Sequence, residues 1–120
     1  MFLPPDLLEK VYVKGSLVNT GSGFEFKIKN VVDSGTLGGM TSLAVDGTEV
    51  PLAAVTLKSP SREVKAADVT PRTSFPLQYG TTLTISVESE PLATGEHAIT
   101  MTVNVLEAGR VQVKVKDSVA

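Results

Sequence analysis

From Phe24 to Lys29 apolar and polar residues alternate at every position, and they do so again from Thr82 to Val87. Ile99, Met101, Val103 and Val105 alternate with Thr100, Thr102 and Asn104, and Val111, Val113 and Val115 with Gln112, Lys114 and Lys116. A period of two marks strands with one face in a core and the other in water. Weaker patterns predict further strands over 10–18, 53–58 and 62–65. Asp46-Gly47, between Leu43-Ala44-Val45 and Thr48-Glu49-Val50, is a two-residue hairpin signal. Pairing Val45 with Thr48 sets Leu43 opposite Val50. A second hairpin is expected around a three-residue loop, Glu107-Ala108-Gly109. It pairs Val105 with Val111, Val103 with Val113 and Met101 with Val115, all on one face. Gly109 falls where the loop needs a left-handed residue.

About seven or eight short strands at regular spacing predict an all-β fold, an antiparallel β-sandwich with a small barrel as the alternative. One domain spans 1–120. A short helical turn is expected at 4–9, with Leu7 and Leu8 packing on the sandwich. Gly35, Gly38 and Gly39 match neither the dinucleotide fingerprint nor the phosphate loop. A bulge or bend entering the third strand accounts for them better.

Composition narrows the function classes. The chain has 120 residues, enough for one core without staples. With four Phe, two Tyr and no Trp, that core must be mostly Val, Leu and Ile. A net charge of −2 argues against a nucleic-acid partner, which selects for a basic stripe. Without cysteine there is no disulfide, thiolate metal site or cysteine nucleophile. The sequence shows no signal-peptide pattern and no run of the ~20 apolar residues that a membrane helix needs. No membrane association and a cytoplasmic location are expected.

His97, the single histidine, has no His or Cys partner for zinc and no nucleophile motif around it. It is expected on the surface or on an edge strand, with Glu96 pointing to the opposite face. The acidic residues are scattered rather than set in a metal-loop pattern. No catalytic, cofactor-binding or metal-binding residue is therefore assigned, and no cofactor is expected. Lys27, Lys29, Lys114 and Lys116 suggest a weak basic face, or simply the wet side of strands. The segment 71–80 reads as an irregular loop. Its Phe75, Gln78 and Tyr79 are the candidate partner- or ligand-binding residues. In the competing reading, Phe75 and Tyr79 plug one end of the sandwich.

Three stretches carry a resemblance. They are Gly23-Phe24-Glu25-Phe26-Lys27-Ile28-Lys29-Asn30, then Val45-Asp46-Gly47-Thr48-Glu49-Val50-Pro51 with Val55 and Leu57, then Pro91-Leu92 through Gly95-Glu96-His97. In this order they resemble the small β subunit of bacterial C-glycoside deglycosidases and its uncharacterised relatives. The resemblance implies a β-sandwich that stabilises a larger barrel subunit, which holds the metal and the catalytic residues. It implies a non-catalytic accessory subunit of a sugar-active enzyme, partnered by protein or by its own copies. Short archaeal chains of this look also carry a hydroxymethylglutaryl-CoA reductase label. That reaction needs a nicotinamide site, a CoA site and acid–base groups, and no motif here supplies them. A self-associating or carbohydrate-binding β-sandwich is the alternative expectation.

Overall fold

A computed structural model describes residues 10–32 and 34–119. The expected helical turn at 4–9 lies outside the described residues. Ten strands follow one another: β1 (Val18–Thr20), β2 (Gly23–Lys29), β3 (Gly35–Val45), β4 (Thr48–Glu49), β5 (Val55–Ser59), β6 (Arg62–Lys65), β7 (Phe75–Leu77), β8 (Thr82–Glu88), β9 (Gly95–Val105) and β10 (Gly109–Val119). Two single 3-10 turns, Leu52–Ala54 and Ala66–Asp68, bracket β5 and β6. Ten strands exceed the expected seven or eight because β1 and β7 are each only three residues long. Such stubs are too short to show a period.

The strands form two antiparallel sheets, ordered β1-β2-β8-β5-β6 and β10-β9-β3-β4, with β7 on the β4 side of β3. Both sheets are open, so the fold is a sandwich and not a barrel. The alternating rows meet between the sheets. Phe24 faces Val87, Phe26 faces Ile85 and Ile28 faces Leu83 across β2 and β8. Met40, Leu43 and Val45 face Val103, Met101 and Ile99 across β3 and β9. All of these are buried except Ile28, which is partly buried against the core. Burial of each such side chain contributes roughly 1.5–3 kcal/mol.

The first hairpin forms as expected, with Val45 opposite Thr48 and the Val50 N–H donating to the Leu43 carbonyl. Asp46 and Gly47 both take positive φ, 53° and 83°, as a primed two-residue turn requires. The second hairpin differs by two residues. Gly109 pairs with Val105, Val111 with Val103, Val113 with Met101 and Val115 with Ile99. The Ala108 N–H closes a turn on the Val105 carbonyl, and Gly109 follows at φ 82° as the first paired residue. The loop is thus Leu106-Glu107-Ala108, and Gly109 belongs to the ladder. A slip of two preserves side-chain parity, so Val103 and Val113 are buried in either register.

The glycine cluster lies at the start of β3, where register shifts between Leu37 and Gly39 and again between Met40 and Ser42 mark bulges. The four lysines do not share a face. Lys27 and Lys29 lie on β2 and Lys114 and Lys116 on β10, in different sheets.

Candidate functional site

The candidate loop divides in the structure. Phe75 sits in β7, paired with Leu37 and only 1 % exposed, with the Arg62 guanidinium 5.9 Å from its ring centroid. Gln78 is exposed, and Tyr79 is 65 % exposed, its N–H held by the Ser34 hydroxyl 3.0 Å away. Phe75 is therefore a core residue. The period of two, too short over 75–77 to be read, is what turns it inward.

His97 lies on β9 between β10 and the Asp46 turn, not on an edge strand, and its side chain is only 11 % exposed. Its Nδ1 is 2.6 Å from the Asp46 carboxylate and its Nε2 is 2.7 Å from the Ala93 carbonyl oxygen. An ionised carboxylate and a carbonyl oxygen both accept, so this geometry favours the ring protonated on both nitrogens. The hydrogen bond to Ala93 and then that to Asp46 raise the His97 pKa above its ordinary value. Asp46 is lowered, by the Ala98 N–H first and His97 second. With both nitrogens occupied, the ring has no free atom for proton transfer in this geometry. It clamps the segment before β9 to the first hairpin.

A second polar node closes the sandwich at its β10 side. Asp117 Oδ2 accepts from the Tyr12 hydroxyl at 2.6 Å and from the Gly15 and Leu17 N–H groups at 3.0 and 3.3 Å. The Ser118 N–H donates to Oδ1. Burial pushes the Asp117 pKa up, but these four donors outweigh it and the net shift is downward. Burial and the adjacent carboxylate raise the Tyr12 phenol. The node pins residues 12–17 across the gap between the sheets, while Tyr12 bridges to Ile28. A scatter of acidic residues in the sequence gave no sign of this.

Beside the node lies the outer strand β10. β10 is eleven residues long and hydrogen-bonds along one edge only, to β9; no other backbone bonds reach it among the described residues. Its inward row, Val111 and Val113, walls a half-open cavity of about 120 Å³. Val11, Ile28, Leu83, Met101 and Val103 are among the other residues that line this largely apolar cavity. The outward row of β10 is Arg110, Gln112, Lys114 and Lys116, all exposed. Tyr12, Lys14, Ala98, Thr100, Lys114 and Lys116 bound a shallower groove of about 540 Å³. None of the cations Lys14, Arg110, Lys114 and Lys116 is in an ion pair among the described residues. Among those residues there is also no cluster of three or more His, Asp or Glu able to hold a metal ion, and no helix long and apolar enough to cross a membrane.

These features define a two-sheet β-sandwich domain with one long strand edge, unpaired among the described residues, beside an apolar cavity. Residues 7–120 match the family model described as hydroxymethylglutaryl-CoA reductase, N-terminal domain, and the chain belongs to that family. No curated protein matches it.

Proposed function

We propose that this domain is a non-catalytic module that works in contact with another chain, as an accessory or stabilising subunit of a larger enzyme. The edge of β10, unpaired among the described residues, carries this reading: a long strand with such an edge invites pairing with another chain. The family description, an N-terminal domain of a reductase, is consistent with a part that serves a larger assembly. The resemblance to the small subunit of C-glycoside deglycosidases favours a sugar-active partner.

The test is isolation of the tagged chain from its native host at native abundance. The expected result is co-elution with a larger chain whose turnover or thermal stability falls when this chain is removed. Recovery as a stable monomer with catalytic activity of its own overturns the proposal. A second reading, a carbohydrate-binding module, rests on the exposed ring of Tyr79 beside Gln78. Glycan titration that shifts Tyr79 resonances and is abolished in Tyr79→Ala would favour it.

A further inference from the structure

We propose that the free edge of β10 receives an extended segment of the partner chain in which apolar and acidic residues alternate. The inference rests on the subunit reading above and names the chemistry of what that subunit binds. Three features of one strand converge. The backbone edge of β10 is unpaired among the described residues, so an added strand gains a ladder of hydrogen bonds. The inward valines, Val111 and Val113, already wall a half-open apolar cavity. Apolar side chains on the inward row of the added strand would extend sheet β10-β9-β3-β4 over that space. Arg110, Lys114 and Lys116 form an unneutralised outward row, and Lys14 joins the last two around the neighbouring groove. Carboxylates on the outward row of the added strand would meet them.

The same row argues against a second copy as the occupant. In an antiparallel β10–β10 pair, centring on Val113 sets Arg110 opposite Lys116, and centring on Gln112 sets it opposite Lys114. Centring on Lys114 sets that residue opposite itself. Each register that pairs most of the strand thus brings like charges together, which is unfavourable across a sheet. Edge lysines that block self-pairing select a partner of the opposite sign. The direct cross-strand partners of Lys114 and Lys116 on β9, Thr100 and Ala98, carry no charge.

A capped peptide of alternating valine and glutamate, and its twin with lysine for glutamate, would be titrated into the isotope-labelled full chain. The glutamate peptide is expected to bind, shifting the amides of 109–116 and the methyls of Val111 and Val113. The same amides should gain protection from hydrogen exchange. K114E/K116E alters only exposed side chains; it should weaken the glutamate peptide by at least ~10-fold and make the lysine twin the better ligand. Equal binding of both peptides, shifts without amide protection, or signals confined to another surface would overturn the proposal. So would protection of the β10 edge in the free protein, whether by a second copy or by residues 1–9. A chain that binds the peptide at β10 but governs no enzyme keeps this inference and loses the subunit reading. A chain that governs a partner enzyme while its β10 amides stay unaffected does the reverse.

Discussion

Gly23 opens β2 against β8 so closely that a Cβ built on it would strike the Val87 carbonyl oxygen and crowd the Ser89 amide. Both are backbone atoms, which cannot swing aside as a side chain can. Gly23→Ala is expected to lower stability by about 1–3 kcal/mol, as overpacking does; chemical denaturation would show it as a lower midpoint. Asp117 is the other residue whose neighbours decide its worth. In Asp117→Ala, Tyr12 and the backbone N–H groups of Gly15, Leu17 and Ser118 lose their acceptor. The expected cost is about 1–3 kcal/mol, with hydrogen exchange speeding up first at residues 12–17. Neither role was legible in the sequence, since contacts between residues far apart in the chain leave no local pattern.

Register, at the scale of the strand, shows how far the period of two reaches. Alternation places Val103 and Val113 inside whichever of two registers forms, because a slip of two returns every side chain to its own face. Only the turn tells the registers apart. Gly109 serves as the left-handed residue that restarts the ladder, so Val105 pairs with it and not with Val111. Cross-strand nuclear Overhauser contacts are expected between Val103 and Val111 and between Met101 and Val113. Contacts between Val103 and Val113 as direct partners would contradict the structure. Val103→Ala is expected to cost about 1–3 kcal/mol, at the lower end of large-to-small core changes. Gly109→Val should also destabilise, since a β-branched residue is strained at φ 82°.

At the scale of the whole molecule, His97 with Asp46 and Tyr12 with Asp117 form two polar clamps that tie separate segments to the sandwich, and both depend on ionisation. The His97 pKa is raised, so its contribution is fully present below the ordinary imidazole value and is lost as pH climbs through the raised one. Asp46 and Asp117 are lowered, so theirs is present above the ordinary carboxylate range and is lost as pH falls through their depressed values. Thermal unfolding across pH should therefore show a plateau that declines at both ends. His97→Gln is expected to flatten the alkaline decline and Asp117→Asn the acid one; an unchanged profile in both variants would refute the assignment.

The sequence by itself determined the secondary-structure class, the inward rows of β2, β8, β9 and β10 and the first hairpin. All of these follow from the period of two and from turn chemistry within a few residues. It did not determine the pairing partners of β1 and β7, the interior place of Phe75, or the separation of the four lysines between two sheets. Nor did it show the free edge over the cavity. Those depend on which strands lie next to each other, and adjacency is decided by burial across the whole chain. The order β10-β9-β3-β4 leaves β10 outermost, with its far edge unpaired among the described residues.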